Sequence, residues 1–91
     1  MSSRLLIAIV DNVTHDIVGQ VSTFKNAQVA IRHFDDVLKD PQPNAVNKFP
    51  KDHDLVLLAV INEDIEVTPQ KEILLRGADW LALQTTQQEQ Q

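Results

Sequence analysis

Ala27-Gln28-Val29-Ala30-Ile31-Arg32-His33-Phe34-Asp35-Asp36-Val37-Leu38 is the stretch from which the fold is read. Ala27, Ala30, Ile31, Phe34, Val37 and Leu38 recur at spacings of three and one, which gathers them into one stripe of an amphipathic helix. Asn26 stands in front as an N-cap, its side-chain carbonyl free to accept an orphan backbone N–H of the first turn. Asp40-Pro41 closes the helix, because the residue before proline is pushed out of the helical region and proline cannot extend the ladder. Lys25, Gln28, Arg32, His33, Asp35, Asp36 and Lys39 fall mostly on the polar face.

Two strand pairs flank this helix. Upstream, Arg4 to Val10 is a short aliphatic run without glycine or proline, stopped by Asp11-Asn12, and reads as a buried strand. Asp11-Asn12-Val13-Thr14-His15 supplies turn formers. Ile17 to Val21 returns as a second strand, in which Gly19 marks a bulge or a close backbone approach. Downstream, residues 41 to 54 hold three of the four prolines and read as a loop, with Val46 and Phe49 able to pin it to the core. Leu55 to Ile61 is the most apolar segment and reads as a central strand. Ile65-Glu66-Val67 continues it as a hairpin across Asn62 to Asp64, and Thr68-Pro69 is expected to end that strand.

Lys71 to Leu83 admits two readings, a strand at Ile73 to Leu75 and a helix or apolar tail from Ala78 to Leu83, with Gly77 as punctuation in either case. The order β-β-α-β-β predicts an α+β fold: a small antiparallel sheet with one amphipathic helix packed on one face. A single domain is expected over residues 1–83. The glutamine-rich end, residues 84–91, has nothing to bury and is expected to be disordered.

Ninety-one residues make one domain with a modest core, and subunit contacts often supply burial that so short a chain lacks. Homo-oligomerisation, as a dimer or higher, is therefore expected, with an exposed sheet edge paired or buried in a partner. There is no cysteine, so disulfides and thiolate metal sites are excluded. The apolar run near the N-terminus is too short for a signal peptide or a membrane span, which leads us to expect a cytoplasmic protein without membrane contact. The formal net charge of −5 argues against general coating of nucleic acid, though not against a local basic patch.

No constellation for catalysis emerges. His15, His33 and His53 sit among aspartates, but none is four residues from another, and solvated histidines are the commoner arrangement. Asp35-Asp36 and Asp52-His53-Asp54 read as solvated ends of elements rather than as an acid–base pair in a pocket. The serines lack a nucleophile-elbow context, and the two glycines are too far apart to cradle phosphate. The expectation is a binding protein with no catalytic residue, metal or cofactor. Arg4, Lys25, Arg32, Lys48 and Lys51, with Phe24 or Phe49 as a stacking platform, are the cations and aromatics from which a single-strand site would be built. Trp80 would anchor a protein interface if exposed, and core packing is its other use.

Several of these residues carry a resemblance. Phe24, Ala30 to Leu38, Asp40-Pro41 and Phe49-Pro50-Lys51-Asp52-His53-Asp54-Leu55 together resemble the small nonstructural protein of the gokushoviruses, single-stranded-DNA phages of the Microviridae. The shared pattern is an Ala-(Ile/Leu)-Arg-x-Phe helix core, an Asp-Pro step, a Pro-x-Asp step into an apolar strand, and an Asp- and Asn-rich turn, here Asn62-Glu63-Asp64, followed by Pro69. It covers roughly residues 4 to 80. Two features depart from it: residues 16–21 replace the family's aromatic-rich loop, and the glutamine-rich end has no counterpart.

The resemblance implies a protein made in the cytoplasm of the infected bacterium, absent from the mature virion, and engaged in single-stranded genome synthesis or its coupling to packaging. Phage replication or packaging proteins would be its partners. Lys25 and Arg32 are the first expected DNA contacts, and Lys48 and Lys51 extend the patch. The competing expectation is a protein–protein adaptor that touches no nucleic acid and engages a host or phage protein through Trp80 or a sheet edge.

Overall fold

A computed structural model of the protein describes residues 3–89. Four antiparallel strands, β1 (Arg4–Asp11), β2 (Asp16–Phe24), β3 (His53–Ile61) and β4 (Val67–Arg76), form one open sheet in the order β2-β1-β3-β4. The two most apolar runs in the chain, β1 and β3, are thus its central strands. Helix α1 (Ala27–Lys39) connects β2 to β3 and crosses one face. The expected α+β fold is the one observed.

Asn26 caps α1 by accepting from the Val29 N–H at 2.9 Å. The helix buries Ala30, Phe34 and Leu38 against Ile7, Leu55 and Leu57 of the central strands, with Val46 closing one side. Phe34, Ile7 and Leu55 are the largest side chains wholly removed from water. Burying each contributes roughly 1.5–3 kcal/mol, so this trio anchors the helix on the sheet.

Gly19 has φ +75°, and its Cβ position is open, so it serves a bulge rather than a close approach. The β1–β2 register shifts between Ile7 and Ile9 at this point. His15 and Ile65 also adopt left-handed backbone, each in a hairpin turn.

The second half departs from expectation in two places. Thr68-Pro69 does not end a strand: β4 runs through it to Arg76. Proline is tolerated because β4 is an edge strand, where a missing N–H interrupts no ladder on its outer side. Both readings of Lys71 to Leu83 hold in succession, because β4 gives way at Gly77 to helix α3 (Gly77–Glu89). The boundary expected at residue 84 falls within α3. Residues 90–91, and the side chains from residue 85 on, lie outside the described residues.

Gly77 makes this transition possible. A Cβ there would overlap the carbonyl oxygens of Pro50 and His53. The start of α3 therefore lies directly on the short 3-10 turn at Pro50–Asp52, with backbone against backbone.

Candidate nucleic-acid interface

The loop between α1 and β3 is built rather than slack. It contains a one-turn helix, α2 (Ala45–Lys48), whose start is a reciprocal cap. Asn44 Oδ1 accepts from the N–H groups of Val46 and Asn47, and Asn47 Oδ1 accepts from the Asn44 N–H at 2.8 Å. The amide NH₂ groups of the same two asparagines reach outward, Asn44 to the Val37 carbonyl and Asn47 to those of Asp40 and Gln42. They tie α2 to the end of α1.

Val46 is buried and pins the loop, as expected of it. Phe49 does not help to pin it, because its ring is 60% exposed. The 3-10 turn that follows holds Phe49 outward. Its Asp52 N–H bonds the Phe49 carbonyl, which the Nδ1–H of His53 also reaches at 2.8 Å. From the β1–β2 turn, Asn12 donates its backbone N–H to the Asp52 carbonyl and its side-chain amide to the Lys51 carbonyl.

His53 and Asp54 correct the sequence reading. The sequence predicts both to be solvated, yet His53 is 4% exposed and Asp54 is buried beside it. Each is satisfied internally, His53 by the Phe49 carbonyl and Asp54 by the Asn12 amide at 3.3 Å. They hold the loop and offer nothing to a substrate. Asn12 depends for its role on a contact some 40 residues away, and its only signal in the sequence is turn propensity. His15 and His33 are exposed, and among the described residues no cluster of three or more His, Cys, Asp or Glu is placed to hold a metal.

The expected cations separate into four places, of which Arg4 stands apart at the start of β1. Lys48 and Lys51 flank Phe49 on one shallow groove of about 240 Å³, with Pro50, Asp52 and Leu81 of α3 completing its wall. Arg32 lies across α3, in a groove with Gln28, Ile31, Asp35, Trp80 and Leu83. Since Trp80 and Leu81 are about 100° apart on the helix, the two grooves open on different sides of α3. Lys25 precedes the N-cap of α1, so it is not on the helix face assigned to it, and it lines neither groove.

Phe24 packs against the core and touches the His33 ring at 5.7 Å between centroids, which leaves Phe49 as the aromatic platform. Trp80 takes the core use. Its ring packs on the cluster beneath α1, and its indole N–H donates to Asp35 at 2.7 Å. Only part of the ring is left to line the Arg32 groove.

The charge around the first groove favours an anion more than the net charge of the chain suggests. Lys48 and Lys51 are both exposed and face a single carboxylate, Asp52, which is itself half-buried. In the second groove Asp35 accompanies Arg32, and Lys39 bonds Asp35 at 3.3 Å. Among the described residues no helix is long and apolar enough to cross a membrane.

No curated protein and no solved structure matches the chain. The family model described as Phage ORF5 protein matches residues 5–80, which spans the sheet, α1, the stapled loop and the start of α3. That coverage includes the loop that carries Lys48, Phe49 and Lys51, and the chain belongs to the Phage ORF5 protein family.

Proposed function

We propose that this phage protein is a nonstructural accessory protein of the gokushoviruses and that it binds single-stranded DNA during genome synthesis, at the point where synthesis is coupled to packaging. One observation carries the reading: the stapled loop holds Phe49 in solvent between Lys48 and Lys51. Single-strand binding needs cations that follow the phosphates and an aromatic face on which an unpaired base can stack. A phenylalanine 60% exposed on a rigid loop meets the second requirement at little entropic cost. In duplex DNA the bases are already stacked, so the loop discriminates for the single strand.

In this reading the protein works in the cytoplasm of the infected bacterium, is left out of the mature virion, and carries out no catalysis. Arg32 and Lys25 are secondary contacts, reached only by a strand that passes around α3. The net charge of −5 keeps the interaction local and moderate. It also supports the alternative, an adaptor for a host or phage protein with no nucleic-acid contact.

Fluorescence anisotropy of a labelled oligonucleotide separates the two. Binding of the single strand that weakens with salt, beside a weaker duplex control, supports the DNA reading. Absence of binding at low salt removes it and leaves the adaptor.

A further inference from the structure

We infer that the sheet face turned away from the helices is the dimer interface of this protein, and that a second copy of the chain covers it. The observation is one of register. Residues directly opposite one another in a sheet share a face. Leu5, Ile7 and Ile9 pair with Phe24, Val60, Leu57, Val18 and Leu55, which is the side that α1 covers. The intervening residues form the other face. Leu6 lies beside Ala59 and Pro69, Ala8 beside Val56 and Ile73, and Val10 beside Ile17.

None of Leu6, Ala8, Val10, Val56 or Ala59 joins the core cluster beneath α1, although Ala8, Val56 and Ala59 are buried among their own neighbours. Helices α1 and α3 both pack on the opposite side, through Phe34 and Trp80. Among the described residues no member of the core cluster lies on this second face. Ile17, Ile73 and Val67 on it are 48%, 42% and 55% exposed. Strands that are apolar on both faces belong in sheets covered on both faces.

Two properties select a second copy as the cover. The first is composition: the face is apolar across its centre, like a domain core cut in half, as in obligate homodimers. The second is size. Four strands about 4.8 Å apart and about eight residues long present about 500 Å² per copy. Two copies together reach the roughly 1,000 Å² of a specific interface before side-chain relief is counted.

Ala8 and Ala59 keep the centre flat enough for two sheets to pack about 10 Å apart. Such a dimer does not depend on DNA binding. It leaves the Lys48–Lys51 groove, on the helix-bearing side, open in both copies.

Sedimentation equilibrium of the full chain tests it. The wild type should sediment at twice its 10.3 kDa mass at micromolar concentration. Ile17→Lys and Ile73→Lys replace exposed side chains, so they should keep the circular dichroism of the wild type. Each should weaken the dimer about a hundredfold or more, because symmetry puts the buried lysine in the interface twice. Val29→Lys, at an equally exposed position on α1, should leave the dimer intact.

A monomeric wild type overturns the inference. So does a dimer that withstands Ile17→Lys and Ile73→Lys, or one that Val29→Lys dissociates. A soluble paramagnetic probe gives a reading that needs no variant. Methyl signals of Ile17 and Ile73 should be spared relative to Val13 and Ile65, and equal bleaching overturns the inference as well.

Discussion

The indole N–H of Trp80 donates to Oδ1 of Asp35 at 2.7 Å, joining α3 to α1 across 45 positions of sequence. Asp35 serves two partners, since its other oxygen takes the Lys39 ammonium at 3.3 Å. The bond is charge-assisted, but the Asp35 side chain is 30% exposed, so water can replace the indole. Trp80→Phe should therefore cost only about 1 kcal/mol in urea denaturation beyond its change in packing. Asp35→Asn keeps an acceptor for the indole and should be milder than Asp35→Ala, which loses both partners. The Trp80 emission spectrum should shift to the red in Asp35→Ala and change little in Asp35→Asn.

Gly77 is the least replaceable residue of the second half. The Cβ of an alanine would meet the carbonyl oxygens of Pro50 and His53, which are backbone and cannot rotate away. Gly77→Ala should cost at the upper end of the roughly 1–3 kcal/mol typical of overpacking. The same shift would lift α3 from the 3-10 turn and loosen the Phe49 loop. Thermal denaturation should show the loss, and amide exchange near Lys51 and Asp52 should quicken with it.

Ile65 carries strain that the fold does not require. It is β-branched, 78% exposed and at φ +61°, where a side chain clashes with its own backbone. Asn62 forms the rest of the turn, its Oδ1 accepting from Asp64 and Glu66. Ile65→Asn should therefore stabilise the protein by about 0.5–1 kcal/mol, because asparagine tolerates left-handed backbone. A rise in the urea midpoint at constant slope would show it, and a fall would mean that Ile65 has a partner.

How much of this is legible in the sequence follows the range of the interactions. Helix α1 is readable to its caps, because Asn26, each residue of the apolar stripe and Asp40-Pro41 act on backbone or side chains within about one turn of themselves. So are β1 and β3, whose composition admits little else. Pro69 misleads because whether proline ends a strand depends on its place in the sheet, and edge or centre is a property of the whole topology. The buried His53 and the exposed Phe49 exchange their expected roles for a similar reason. Asn12, Gly77 and the 3-10 turn fix that loop from three distant parts of the chain. The cations are legible as residues but not as a site, since helix α3, open between two readings in the sequence, is what divides Arg32 from Lys48 and Lys51.

Asp11 makes stability depend on acid in a predictable direction. Its carboxylate accepts the N–H groups of Val13 and Thr14, which tighten the first hairpin turn. The Thr14 and Val13 backbone bonds, with a smaller contribution from His53, hold its pKa below the ordinary 3.8. A carboxyl depressed in the folded state stabilises above its unfolded value, and that contribution is lost as pH falls through the folded one. The wild type should thus lose stability below about pH 4. Asp11→Asn should flatten that part of the profile. Carboxyl carbon titration by NMR gives the folded value directly, and a midpoint at or above 3.8 would refute this account.

DNA binding at the Phe49 loop requires that particular cations matter and others do not. If Lys48 and Lys51 contact phosphates, replacing both by alanine should flatten the salt dependence of log K by about 1.4, at about 0.7 per contact on a single strand. Phe49→Ala should remove the stacked base, weakening affinity by about 1–3 kcal/mol while leaving the salt slope unchanged. Phe49 is exposed, so this variant should keep the stability of the parent. Lys25→Ala with Arg32→Ala should do much less than the loop variants, since α3 lies between Arg32 and the loop and Lys25 lines neither groove. If instead the Lys25 and Arg32 pair carries most of the affinity, the strand passes along α1 and the Phe49 loop is not its platform. If neither pair changes the slope, phosphate contact is absent from both grooves and the adaptor reading gains accordingly.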